Sequence, residues 1–189
     1  QFRVLNAAGI ESPCAAIVQE GSSVVVTGKF DGEVYLRATC NNGYGHARIL
    51  SQLMLKVEGM GASVLDPYSF VAGGLYDLSY GELGAGNEHG VSFARDGESM
   101  AGFSNVDFGL AGSDEITLPI FALSGDEYII EMWLGHPRNG GEKLTDLSYK
   151  KPSIWNVYQP ETYKLPRRLC GMHDLCFVLH NKVHLGGFS

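Results

Sequence analysis

Short runs rich in Val, Ile, Tyr, Phe and Thr recur about every ten residues between clusters of Gly, Asp, Asn and Ser. No segment sustains the 3.6-residue apolar period of an amphipathic helix, so the pattern predicts an all-β chain. Strands are expected over 22–28, 33–39 and 50–57, with the turn signal Phe30-Asp31-Gly32 between the first two, as part of a small sandwich. The composition shifts at 58–63, Glu-Gly-Met-Gly-Ala-Ser, and Asp66-Pro67 opens the next element, which places a domain boundary there. Beyond it strands are expected over 90–94, 102–108, 115–118, 127–134, 158–165 and 175–180, a spacing that fits a jelly roll or related sandwich. Within 128–134 a period of two puts Tyr128, Ile130, Met132 and Leu134 on the core face. Ile129, Glu131 and Trp133 fall on the other face, with Trp133 looking outward or onto a groove.

Charge and composition narrow the classes. Lys and Arg number 14 against 21 Asp and Glu, a formal charge of −7, which argues against a surface built to neutralise phosphates and so against nucleic acid. Apolar stretches such as 128–134 fall far short of the roughly 20 residues of a membrane helix, and no membrane insertion is expected. The first residues carry no initiating Met and no targeting signal, as in a chain excised from a longer one. Cys14, Cys40, Cys170 and Cys176 match neither zinc-ligand spacing nor a dense disulfide scaffold. They read as buried free thiols, while their spacing leaves Cys14–Cys40 and Cys170–Cys176 open as pairings.

Catalytic and metal signals are weak. The loop Gly84-Ala-Gly86-Asn-Glu-His-Gly90 has the wrong glycine spacing for a dinucleotide fingerprint, with no helix after it, and reads as a surface loop. His173, His180 and His184 lie close in sequence, but on strands and turns their spacing does not converge imidazoles on a metal, and no metal site is expected. No Gly-x-Ser-x-Gly elbow is present. Carboxylates are plentiful, yet a count of acids does not locate the pair a glycosidase needs, so no catalytic residue is assigned. What remains is a chemistry that needs no catalyst. Aromatic rings stack on the apolar faces of sugars while amides, imidazoles or hydroxyls bond their polar edges. Phe93, Trp155, Tyr158 and Tyr163 are the candidate rings, and Trp155 sits in a Pro-initiated loop with polar neighbours.

Several motifs, in order, carry a resemblance. Asn105-Val-Asp-Phe-Gly109, then 129–135 with Gly140-Gly141, then Trp155-Asn-Val-Tyr158, then Gly171-Met-His-Asp-Leu-Cys-Phe-Val-Leu179 together resemble the family 6 carbohydrate-binding modules over about 65–189. Upstream, Ala8-Gly-Ile-Glu-Ser12, Asp31-Gly-Glu-Val-Tyr-Leu-Arg37 and 51–59 resemble the immunoglobulin-like domain late in bacterial glycoside hydrolase family 2 enzymes, commonly described as β-galactosidases. The whole chain looks like the C-terminal region of such an enzyme.

The resemblance implies an immunoglobulin-like β-sandwich over 1–64 and a carbohydrate-binding-module-like β-jelly roll over 65–189. It implies a fragment that is not itself an enzyme, whose partners are galactose-containing oligo- or polysaccharides and the catalytic domain of the parent. Residue by residue, the two stacking rings fall on Phe93 and Trp155, and the polar position falls at His184, with Asn181 its nearby substitute. The acids of the family's calcium site are replaced by Ala72-Gly73 and by His184-Leu-Gly186, so no cofactor is expected and calcium lacks its oxygen ligands. The family's usual setting implies a periplasmic or extracellular protein. The alternative function is a structural support that packs on the catalytic domain and uses its aromatics as interface anchors.

Overall fold

The computed structural model describes residues 1–41, 43 and 48–189. The chain divides into two compact units, Gln1–Ser63 and Val64–Ser189. Among the described residues both are built from strands, with short 3-10 turns only in the second.

In the first unit the strands are β1 (Phe2–Leu5), β2 (Ala15–Glu20), β3 (Ser23–Gly28), β4 (Gly32–Asn41) and β5 (Arg48–Val57). One antiparallel sheet has the order β1-β4-β5, and β2 and β3 form a separate hairpin closed at Gly21, whose positive φ of 62° suits a tight turn. β3 and β4 thus belong to different sheets, and the Phe30-Asp31-Gly32 turn carries the chain from one to the other. Val4, Ala15 and Val34 are buried between the layers, with Ile17, Val26, Leu36, Leu55 and Val57 packed against them.

The second unit contains β6 (Val71–Ala72), β7 (Leu78–Tyr80), β8 (Leu83–Ala85), β9 (Val91–Phe93), β10 (Asp96–Asp107) and β11 (Ser113–Ala122). It continues with β12 (Tyr128–Leu134), β13 (Glu142–Tyr149), β14 (Gln159–Leu169), β15 (Met172–Asn181), β16 (Val183–Leu185) and β17 (Gly187–Phe188). They form two five-stranded antiparallel sheets, β13-β12-β15-β10-β7 and β14-β11-β16-β9-β8, and a short β17-β6 pair. Alternation decides which side chains meet between the sheets. On β11, Ile116, Leu118, Ile120 and Ala122 enter the core; on β12, Tyr128, Ile130 and Met132 do, with Leu134 packed against it. Phe103 anchors the core, meeting Phe188 edge-on at 5.0 Å and Phe177 at 6.1 Å between ring centroids.

Trp133 is half-buried on the outer face of its sheet, where it packs with Met100, Cys176 and Val178, and its Nε1 donates to Glu131 at 2.9 Å. The cysteines are free, but only Cys176 is buried; Cys14 is half-buried, and Cys40 and Cys170, at a strand end and in a turn, are exposed. The expectation of buried thiols therefore holds for one position of four.

The aromatic contact predicts a stability effect. Phe103→Ala should cost about 3–5 kcal/mol, because the ring is fully buried and its neighbours close only partly over the cavity. Urea unfolding should show the drop as a lower midpoint.

Candidate functional site

The outer face of the β14-β11-β16-β9-β8 sheet carries the candidate site. Where Ile120 and Ala122 point inward, Phe121 points out, and register places it opposite His184 of β16. His184 in turn lies opposite Ser92 of β9, and Ser92 opposite Gly84 of β8. Phe121, His184, Ser92 and Gly84 therefore form one row across the sheet. Three rings converge on Phe121: Trp155 edge-on at 5.8 Å, Tyr158 at 6.4 Å and the His184 imidazole at 5.1 Å.

Tyr158 is seated by glycines. A Cβ at Gly90 would lie 2.3 Å from the Tyr158 hydroxyl oxygen, one at Gly86 would lie 2.9 Å from it, and one at Gly186 would press the ring at 3.2 Å. Its hydroxyl donates to the Asn87 carbonyl at 2.9 Å. Burial, and then the charge of Glu88, push the phenol up to about 12, so it stays a protonated donor at neutral pH.

This seating fixes the loop that carries Trp155. Ser153 Oγ donates to the Ala122 carbonyl at 2.8 Å, Gln159 Nε2 to the Pro152 carbonyl at 2.8 Å, and Val157 N–H to the Ile154 carbonyl at 3.2 Å. Asn156 turns the chain with a left-handed φ of 61°, a conformation Asn tolerates, and its side-chain oxygen accepts from Asn87 Nδ2. Trp155 rides on this braced turn with 80% of its surface open. An indole this open presents a flat apolar face, with Asn156 next to it in the chain and Asn87, bonded to Asn156, as exposed polar groups.

His184 is half-buried, and its Nδ1 finds no hydrogen-bond partner among the described residues. Burial, and then the charge of Lys182, hold its pKa below the ordinary 6.5, so the imidazole is neutral at pH 7.

Of the four residues expected at a sugar site, the structure brings Trp155 and His184 together on Phe121. Phe93 is corrected. On β9 only Ser92 faces outward, and Phe93 turns into the core with 1% of its surface exposed, so it offers no face to a ligand. Asn181 is exposed at the end of β15 and lines another depression with Arg95, Leu123 and Tyr128. Tyr163, the remaining candidate ring, packs against the core. Phe121 was not expected, because the predicted strand stopped at 118; extending the alternation of Ile116 and Leu118 by two steps places it on the outer face.

The three C-terminal histidines go to three places: His173 to the Cys170 carbonyl, His180 beside Glu131 and His184 against Phe121. At the positions implied for calcium the residues do not fit that ion. Gly73 donates its N–H to the Gly186 carbonyl at 2.7 Å, and a Cβ there would meet the Leu185 carbonyl oxygen at 2.5 Å, so this packing has no room for a carboxylate-bearing side chain.

With this geometry in place, the comparisons with known proteins bear on the fold. No family model matches the chain, and no curated relative does. A family 6 carbohydrate-binding module from Clostridium stercorarium, solved with cellobiose, is 20% identical with a TM-score of 0.56, covering 67% of this chain and 95% of that one. A family 6 module from Clostridium cellulolyticum, solved with xylose, is 22% identical with a TM-score of 0.53, covering 66% of this chain and 97% of that one. A β-1,3-glucan-binding family 6 module from Bacillus halodurans is 18% identical with a TM-score of 0.53, covering 67% and 98%. The protein is all-β, and it contains a jelly roll like that of the family 6 carbohydrate-binding modules. Among the described residues no helix is long and apolar enough to cross a membrane.

Two outcomes test the site's construction. Gly90→Ala should displace the Tyr158 ring and lower the thermal midpoint, whereas Gly97→Ala, where a Cβ would meet nothing and only the left-handed φ of 86° is strained, should leave the Tyr158 signals in near-UV circular dichroism unchanged even if its midpoint falls. His184, with its folded pKa below the unfolded one, contributes stability that is fully present above pH 6.5 and lost as pH falls through the folded value. Unfolding between pH 7 and pH 5 should therefore show a smaller acid-side loss in His184→Gln than in the parent.

Proposed function

We propose that the second unit is a noncatalytic carbohydrate-binding module that holds a glycan against Trp155. The single observation that carries this is the braced, open indole beside a neutral imidazole, on the outer face of a sheet in a jelly roll of this type. Sugar C–H faces would lie on the indole, and His184 with the amides of the 87 and 156 turns would orient the hydroxyls. Galactose-containing glycans are the substrate class, and the parent is a secreted glycoside hydrolase of the family 2 β-galactosidase type. In that parent the first unit serves as the immunoglobulin-like sandwich.

The acids support binding rather than hydrolysis. A glycosidase's general acid needs a raised pKa. Glu98 is instead held below the ordinary carboxylate range, chiefly by a hydrogen bond from Tyr80, and Asp114 chiefly by one from Lys164. Glu131, Glu142 and Glu161 form ion pairs with Lys143, Arg167 and Lys151.

The experiment is a calorimetric and tryptophan-fluorescence titration against galactans, xylan, cello-oligosaccharides and β-1,3-glucan. Saturable binding should weaken by about 2 kcal/mol or more in Trp155→Ala, with the fold intact because the ring is exposed. Binding to no glycan of the panel would favour the supporting role instead.

A further inference from the structure

The second unit carries the whole of the chain's charge imbalance. Gln1–Ser63 has five Lys and Arg and five Asp and Glu, whereas Val64–Ser189 has 9 against 16. Six of those nine bases, Arg138, Lys143, Lys151, Lys164, Arg167 and Arg168, are engaged in ion pairs with acids of the same unit. Arg95 and Lys182 line one depression with Asp126 and Glu127, two charges of each sign. Little positive charge is left to receive an anionic ligand, and the field of the unit as a whole repels one.

Beside the indole, one acid of this surplus is fixed in place. The turn that carries Trp155 is bonded to the 86–90 turn through Asn156 and Asn87, and Tyr158 reaches the same turn through the Asn87 carbonyl. Glu88 follows Asn87, exposed and in no ion pair among the described residues. Its turn is closed twice. Gly86 N–H donates to the Gly90 carbonyl and Gly90 N–H to the Asn87 carbonyl, each at 2.9 Å. Between these bonds Glu88 and His89 stand at φ values of 50° and 68°, in the left-handed region that residues other than glycine seldom enter. Backbone of this kind persists only where its surroundings hold it, and the groups that hold it here, Tyr158 and Asn156, are those that brace the indole. The charge of Glu88 also raises the Tyr158 phenol beyond what burial does. A carboxylate whose field reaches Tyr158 acts as well on a ligand held at the neighbouring indole. Its chemistry is one-sided. It accepts hydrogen bonds from the hydroxyls of a neutral sugar, whereas a sulfate or a second carboxylate brings it no donor and a like charge.

Resting on the binding role proposed above, we propose that Glu88 is a specificity-determining residue, which keeps the Trp155 site for uncharged glycans and turns away chains that bear sulfate or uronate groups. Galactose-containing polymers exist in both forms, so the charge divides that class. The test takes the neutral polymer of the panel that binds most tightly and compares it by calorimetry with the same polymer after chemical sulfation. It is run at pH 8, above the ordinary imidazole range, in about 10 mM salt, where the Debye length is about 30 Å. The sulfated form should bind at least about tenfold more weakly, and the gap should narrow severalfold in about 1 M salt, where that length is about 3 Å. Glu88→Gln should narrow the low-salt gap by about threefold, the effect of one unit charge about 6 Å away in water. Glu82→Gln, an exposed acid at the end of β8 away from this turn, should leave the gap as it is. The readout is the ratio of the two affinities, so a general change in binding cancels. Equal binding of the two forms at low salt, a gap indifferent to salt, or a gap that Glu88→Gln moves no more than Glu82→Gln does would overturn the inference and leave the binding role standing. Failure of every neutral polymer to bind would overturn the binding role and the inference with it.

Discussion

Three glycines of the second unit, Gly86 and Gly90 at the two ends of one turn and Gly186 between β16 and β17, leave the space into which the Tyr158 ring fits. A methyl group at any of them would press on that ring or its hydroxyl. Once seated, Tyr158 ties the segment just before β14 to the turn before β9 through the Asn87 carbonyl, and the Asn87–Asn156 amide contact closes the same junction. The loop between is then too short and too well bonded to collapse. Trp155, at its tip, is left with only an edge contact to Phe121 and most of its surface in water. Exposure of a large apolar ring forgoes hydrophobic free energy that burial would recover, and the bracing of this loop is what the proposed binding role rests on.

The two units solve the packing of β-sheets to different degrees. In the second, inward residues from both five-stranded sheets meet in one continuous core, with Phe103, Phe177 and Phe188 touching edge to face. That core frees the outer face of one sheet to carry the row from Phe121 to Gly84 on a rigid base. In the first, a two-stranded hairpin opposes a three-stranded sheet, and Ile49 and Leu53 on the inner face of β5 are more than half open to solvent. The same alternation rule operates in both.

Much of the fold was legible because its long strands alternate strictly. The core face of β12 and the existence of β10, β11, β14 and β15 follow from the period of two. Periodicity missed β1, β2, β6, β7, β8, β13, β16 and β17, most of which give it too little to count. β6, β8, β9's partner β16 and β17 are two or three residues long. β13 has an outer face of Lys143, Asp146 and Ser148 and a register shift against β12 between Met132 and Trp133, which breaks the alternation. Of the candidate site, the loop residue Trp155 and the β16 residue His184 were legible, whereas the facing of Phe93 and Phe121 was not. Trp155 is marked by polar neighbours and a proline, features a chain shows locally. Phe93 was misplaced because motif position alone does not say whether β9 turns Ser92 or Phe93 outward, and that parity is decided by pairing with β8 and β16. Phe121 was missed for the converse reason, since its outward turn depends on β11 running two steps farther than its hydrophobic run suggested.

Turning Phe93 into the core has a consequence for how such a module works. Two rings gripping a sugar from both faces bury it deeply, whereas one ring offers a platform and leaves the opposite face wet. On the binding role proposed above, the free energy at Trp155 is then that of one stacked face plus a few hydrogen bonds, partly offset by the entropy of holding the glycan. Weak attachment is sufficient for a module joined to a catalytic domain. Where such a module is joined to a catalytic domain, the tether would turn each later encounter with the same polymer into an intramolecular event, at an effective concentration set by the connection and not by the affinity alone. Weakness also lets the module release and rebind along a chain of repeating sugars. A platform of one braced indole therefore suits repeated contact with a polymer better than retention of a single small sugar.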